Sequence, residues 1–136
     1  MRIMAIDYGD ARTGVAVSDI TGTLAGDAWV IKGRRAEIVA DAIADAARDR
    51  GVERIVLGYP LNMDGTAGPR AEKSLELRDM LAERTGLDIV MWDERRTTVA
   101  AHNILSENGR RGKKRKESVD AVAASLILEG YLNSLK

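Results

Sequence analysis

The chain has 136 residues, the length of one ordinary domain and enough to bury a core of its own. Hydrophobic residues make up 45% and charged residues 31%, a globular composition, and the absence of cysteine excludes a disulfide framework and a thiolate metal site. With 21 Lys and Arg against 21 Asp and Glu, the chain is not a whole-surface polyanion binder, although a local basic patch remains open to it.

The first predicted element is a strand over residues 2–7, in which Ile3, Met4, Ala5 and Ile6 run straight into Asp7. An uninterrupted apolar run of this kind reads as a strand buried on both faces. A carboxylate at its end is hard to desolvate unless a cation or several donors meet it. Taken alone, Asp7 is equally a turn cap and a ligand. The turn from Tyr8 to Gly14 leads into a return strand over 15–18, and Ala28 to Ile31 forms a third. Short connections make these three an antiparallel meander. From Arg35 to Arg50, the residues Ile38, Val39, Ala42, Ile43, Ala46 and Ala47 recur at helical spacing, and Gly51 stops the helix.

Residues 54–58 form a fourth strand, parallel to an earlier one because a helix precedes it. A glycine-bearing loop from Tyr59 to Gly68 follows, then a helix opened by Pro69 and closed by Gly86. Leu87 to Trp92 is the fifth strand, ending in Asp93-Glu94-Arg95-Arg96. Thr97 or Thr98 caps a helix that Asn108-Gly109 ends, a basic loop follows, and Ser118 caps a last helix to about Leu132. The expectation is therefore a single α/β domain over 1–136. It has a five-stranded mixed sheet, three strands antiparallel and two parallel, flanked by helices. Ligands of such sheets bind beyond the carboxyl ends of the parallel strands, where Asp7, Asn62 and Glu94 fall.

Asp120 shares its helical stripe with Ala124, Ile127, Leu128 and Tyr131, so it faces protein rather than water. A favourable first-turn position on the helix dipole would not require those neighbours. A second stripe carries Val119, Val122, Ala123, Leu126 and Ile127. Asp7, Glu94 and Asp120 are then three carboxylates near one sheet edge. Without a cation they would repel and take up protons. With cysteine absent and His102 the lone histidine, any metal must be held by oxygen, which favours Mg²⁺, Mn²⁺ or Ca²⁺. Paired ions about 3.5–4 Å apart suit phosphodiester cleavage by water. Asp93 and Asp19 compete for these roles; Asp93 and Glu94 alternate across the strand, so at most one of the two points in. Asp10 and Asp64 sit in glycine turns and read as turn formers.

Four motifs carry a resemblance: Asp7-Tyr8-Gly9 with Arg12 to Asp19, Gly58-Tyr59-Pro60, Asp93-Glu94-Arg95 with Thr97-Thr98, and Asp120-Ala121-Val122-Ala123-Ala124. Together they resemble the YqgF-type family, described as Holliday junction resolvases and as nucleases that trim the small-subunit ribosomal RNA precursor. The resemblance implies a ribonuclease H-like fold and an acidic active site at Asp7, Glu94 and Asp120. The related RuvC resolvases place an acidic residue after the fourth strand. This chain has Pro60-Leu61-Asn62 there, and the fifth strand supplies the glutamate instead.

The basic stretch Arg110, Arg111, Lys113, Lys114, Arg115 and Lys116 leads directly into Asp120, which favours a phosphate-tracking arm over a merely solvated run. No aromatic residue is interleaved, so contacts would go to the backbone rather than to stacked bases. Arg12 is placed to hold a phosphate or the Asp10 carboxylate, and Arg95 a phosphate or Asp93. With Asn62 these complete the candidate substrate contacts. Trp29 and Trp92 read as packing residues and His102 as a surface residue. No apolar run is long enough to span a membrane and the chain opens directly into a strand, so the expected compartment is the cytoplasm.

The expected function is a Mg²⁺- or Mn²⁺-dependent nuclease acting on structured nucleic acid, with the ribosomal RNA precursor favoured over branched DNA. Junction resolution would require two sites, hence a homodimer. Two other classes stand against it. One is a non-catalytic RNA-binding maturation factor. The other is an actin-like ATPase, which a chain of one domain does not complete.

Overall fold

The alternation of buried side chains along the first strand sets the layering. Ile3, Met4, Ala5 and Ile6 are all essentially inaccessible, so β1 (Arg2–Asp7) is covered on both faces. In the computed structural model, which describes residues 1–94 and 112–135, Met4 and Ile6 join one core cluster and Ile3 and Ala5 another. β2 (Arg12–Ser18) and β3 (Ala25–Lys32) complete the antiparallel meander. β4 (Val52–Tyr59) pairs parallel to β1, and β5 (Asp88–Asp93) parallel to β4, giving the order β3-β2-β1-β4-β5. The five-stranded mixed sheet read from the sequence is therefore the observed one. Its strands run further than expected, since Arg12 to Gly14 already pair with β3 and β3 begins at Ala25.

Helices α1 (Ala36–Asp49) and α2 (Pro69–Thr85) cover the Met4–Ile6 face. Pro69 sits in the first turn of α2, and Gly86 ends it in the left-handed conformation at φ 68°, as both residue types favour. The opposite face is covered by α3 (Gly112–Ser134), which packs on β1, β2, β3 and β4. Ala124, Ile127, Leu128 and Tyr131 are buried there, so the stripe shared with Asp120 is the one that meets the sheet. The stripe of Val119, Val122, Ala123 and Leu126 is only half-buried.

The last helix differs from expectation at its start. It begins at Gly112, so Ser118 is not its cap and residues 113–117 are helical rather than a loop. Lys and Arg are good helix formers, and no proline interrupts 113–118, so extending the helix costs little once it is docked. The expected helix between Thr97 and Asn108 lies outside the described residues. Among the described residues, no helix is long and apolar enough to cross a membrane.

The α3 face of the central strands carries small residues. Ala5 lies opposite Ala16 and Asp7 opposite Gly14 across the β1–β2 ladder. A Cβ on Gly14 would collide with the backbone carbonyl of Asp120. The helix backbone thus rests directly on β2, at a depth that only glycine permits. Further along, α3 is fixed by a hydrogen bond from Arg54 Nη1 to the Tyr131 hydroxyl at 2.9 Å and by an edge-to-face contact of Trp92 with Tyr131.

Candidate active site

Strand alternation directs Asp7 to the α3 face, in line with Ile3 and Ala5. β5 resolves the competition at its end in the same way. Val90 and Trp92 pack in the α3-side cluster while Ile89 and Met91 pack on the other, so Glu94 follows Trp92 to the α3 face. Its carboxyl lies over Gly58 of β4: a Cβ there would stand 2.8 Å from Cδ and 2.9 Å from Cγ and Oε1 of Glu94. A hydrogen bond joins the carboxyl groups of Glu94 and Asp7.

That pairing has an electrostatic signature. Burial first, then the hydrogen bond to Asp7 and the Asp7 charge, push the Glu94 carboxyl up to about 9, with Asp93 adding to the rise and Arg70 opposing it. Two carboxyl groups pressed together out of water cannot both ionise without a compensating cation. One proton is therefore held between them near neutral pH. A carboxylate pair of this kind is a common mark of a functional site.

Asp120 stands on the other side of Gly14. Its Oδ2 lies 3.6 Å from Nε of Arg12. Arg12 thus pairs with Asp120 and not with Asp10, one of the two partners expected for it. Asp10 pairs instead with Lys73, Oδ1 to Nζ at 3.5 Å. Among the described residues no three carboxylate or histidine side chains converge at metal-ligand spacing. The candidate site brings together the Asp7–Glu94 pair, with Asp120 alongside and engaged by Arg12.

Asn62 is built into its own loop. Its side-chain amide donates to Thr66 Oγ1 at 3.0 Å, and its backbone N–H to the Thr66 carbonyl at 2.9 Å. Asp64 accepts from the Thr66 N–H and hydroxyl, as a turn former does. Asp19 likewise accepts from the backbone N–H groups of Thr23 and Leu24, closing the β2–β3 turn away from the site. Arg95, Arg110 and Arg111 lie outside the described residues, and Lys113, Lys114, Arg115 and Lys116 fall on the helical start of α3. Trp92 packs against Gly130 and Tyr131, and Trp29 carries the Arg50 guanidinium 4.1 Å above its ring, so both tryptophans are packing residues.

Arg70 was not singled out by the sequence. It stands in the first turn of α2, and its charge is felt at Glu94. The available signal was its place directly after Pro69, which opens a helix at the carboxyl end of a parallel strand.

The family described as "RuvX: Holliday junction resolvase" matches residues 1–134. Curated relatives include a protein of Agathobacter rectalis, 45% identical over 99% of this chain and 96% of its own length, and one of Halothermothrix orenii, 46% identical over 98% and 95%. Both bear the name "Putative pre-16S rRNA nuclease". Among solved structures, Thermus thermophilus RuvC in complex with a Holliday junction substrate superposes with a TM-score of 0.64 at 12% identity, covering 99% of this chain and 96% of that one. The fowlpox virus Holliday junction resolvase gives 0.57 at 14% identity over the full length of both chains. At such identity these two establish the shared ribonuclease H-like fold. The YqgF-type resemblance of the four motifs is borne out by the family match.

Proposed function

Because the chain belongs to the RuvX family, we propose that it is a divalent-metal-dependent nuclease that hydrolyses phosphodiester bonds in the precursor of the small-subunit ribosomal RNA. The observation that carries this reading is the buried Asp7–Glu94 pair, with Asp120 and Arg12 beside it. The names of relatives more than 40% identical over nearly the whole chain favour RNA over branched DNA.

The residues fit Mg²⁺ or Mn²⁺. Mg²⁺ typically takes one or two protein carboxylates, with waters and substrate phosphate completing its shell. Asp7 and Glu94 supply those two, and the proton between them marks the charge a cation would replace. When bound, such an ion supplies an activated water nucleophile and Lewis-acid stabilisation of the scissile phosphate. Asp120 adds a third carboxylate at the edge of the pair, oriented by Arg12. Gly14 admits the Asp120 backbone and Gly58 the Glu94 side chain close against the sheet, where any Cβ would collide with them. Arg70 places a cation close enough to offset part of the local negative charge and to meet an incoming phosphate. Arg95, Arg110, Arg111 and Lys113 to Lys116 are proposed as phosphate contacts on either side. The compartment is proposed to be the cytoplasm, where the precursor would be met.

Purified wild-type and Asp7→Asn proteins tested on precursor ribosomal RNA and on four-way DNA junctions, with Mg²⁺ or Mn²⁺, decide the matter. Metal-dependent cleavage of the RNA by wild type and its loss in a folded Asp7→Asn protein are expected. Retained cleavage in the variant sinks the carboxylate mechanism, and junction cleavage alone sinks the RNA assignment.

A further inference from the structure

On the face of the sheet opposite α3, a cavity of about 430 Å³ opens where β1 ends against α1 and α2. Tyr8, Asp10, Arg34, Ala36, Lys73 and Glu76 line it. Its volume lies in the range of small-ligand sites. A narrower cleft shares Tyr8, Asp10 and Lys73 with it and adds Gly9 and Arg70. The two are therefore continuous, and Arg70 links them to Glu94, whose carboxyl feels its charge. Tyr8 directly follows Asp7 and, by strand alternation, faces the other way, packing against the α1–α2 core. A strand held at Asp7 and Glu94 thus passes Arg70 and reaches this cavity by crossing one sheet edge.

The wall chemistry narrows the ligand. Arg34, Arg70 and Lys73 are suited to phosphate, and Lys73 also ties α2 to Asp10 at 3.5 Å, which fixes the cleft's two sides. The two carboxylates, Asp10 and Glu76, are not suited to phosphate. Glu76 is exposed, and an ionised carboxylate only accepts hydrogen bonds. The Tyr8 hydroxyl lines the same wall and supplies a donor of its own. The ligand group that meets Glu76 must therefore bring a hydroxyl or amino donor of its own. In nucleic acid the donor present in every residue regardless of sequence is the ribose 2′-hydroxyl, which distinguishes RNA from DNA. Carboxylates take ribose hydroxyls in the same way at dinucleotide sites.

We infer that this cleft is a ribonucleotide subsite flanking the scissile phosphate, with Arg34, Arg70 and Lys73 on its phosphate and Glu76 on its 2′-hydroxyl. The inference rests on the nuclease reading for the position of the strand, and it makes the cleft the place where RNA is selected over DNA. Arg34, Lys73 and Glu76 are exposed side chains, so substitutions there leave the core untouched.

Binding is measured by fluorescence anisotropy on the Asp7→Asn protein with Mg²⁺. The probes are a labelled single-stranded RNA, the DNA of the same sequence, and RNAs carrying one 2′-deoxy residue at each position in turn. RNA is expected to bind about tenfold more tightly than DNA, most of the difference residing at one position, because one charge-assisted hydrogen bond is worth about that factor. Glu76→Ala should bring RNA affinity down to that for DNA, and Lys73→Glu with Arg34→Glu should weaken both. Equal affinity for RNA and DNA, or an RNA preference that survives Glu76→Ala, overturns the inference. The nuclease reading fails separately, if wild type with Mn²⁺ cleaves neither the RNA nor bis(4-nitrophenyl) phosphate.

Discussion

Gly58→Ala separates the position of the Glu94 carboxylate from the stability of the fold. The new methyl group would stand 2.8 Å from Glu94 Cδ, about 0.7 Å short of the roughly 3.5 Å at which carbon atoms meet comfortably. The three nearest atoms all belong to the Glu94 side chain, whose torsions can relieve the clash. Overpacking that moved backbone would cost about 1–3 kcal/mol. Here rotation removes most of it, and the reduced freedom of the unfolded chain returns about 0.4–1 kcal/mol. The melting temperature should therefore stay within about 3 °C of wild type, since about 1 kcal/mol moves a domain of this size by a few degrees. Activity should not stay. A displacement of about 1 Å at a reacting group can cost on the order of 100-fold. Cleavage of precursor RNA in Mg²⁺, measured as kcat/KM beside a thermal melt, should show that loss at unchanged stability. In a Glu94→Gln background, Gly58→Ala should add little, because both changes act on one carboxylate. Wild-type kcat/KM in a stably folded Gly58→Ala protein would refute the placement of Glu94 in the site.

Gly14→Ala should behave in the opposite way. Its Cβ falls on the backbone carbonyl of Asp120, with no side chain to rotate aside, so α3 must shift; a loss of about 3 kcal/mol by urea denaturation is expected together with the loss of cleavage. The metal-free protein should lose stability as pH rises. Glu94 retains a proton up to about 9, whereas the unfolded chain releases it near the ordinary value of 4.5. Between those limits the folded state binds more protons, so each pH unit removes about 1.4 kcal/mol. Denaturant midpoints in EDTA should fall from pH 6 to 8, and Glu94→Gln should flatten the slope. Tyr131→Phe leaves Arg54 without its 2.9 Å acceptor and should cost about 1–2 kcal/mol, read as a lowered melting temperature with cleavage unchanged.

The parts of this structure that were legible in the sequence are those in which one-dimensional pattern and three-dimensional environment coincide. β1 is buried on both faces, and such a strand has no polar alternation, so Ile3 to Ile6 announced it. The Asp120 stripe was legible because Ala124, Ile127, Leu128 and Tyr131 are all buried against the sheet. The alternation rule left open which of Asp93 and Glu94 faces the α3 side, and the clusters that hold Trp92 and Met91 place Glu94 there. The start of α3 was misread because Gly109 and Gly112 frame the basic stretch like a loop, whereas the helix begins at Gly112 itself. The partner of Arg12 was missed for a different reason. Asp10 is near it in sequence, but Asp120 reaches it through the docking of a helix more than 100 residues away.

The least legible residues are the glycines that make the site possible. Glycine within a strand pattern signals a bulge, a bend or a close approach, and sequence does not say which. At Gly14 the approach is by the backbone of α3, and at Gly58 by a side chain from β5's end. Each of the three carboxylates has its position set by one of them. Gly14 is the ladder partner of Asp7 and the seat of Asp120, and Gly58 lies under Glu94. Carboxylates on three separate elements can be drawn to one sheet edge only where the intervening strands carry no side chains on that face. Strand ladders bring Asp7 and Glu94 to the edge, but it is the missing Cβ atoms that let the carboxylates sit close enough for one proton, or one cation, to matter to both. On this account, alanine at either glycine perturbs the site. Only at position 14 does it also perturb the fold, because there the obstructing atom is backbone.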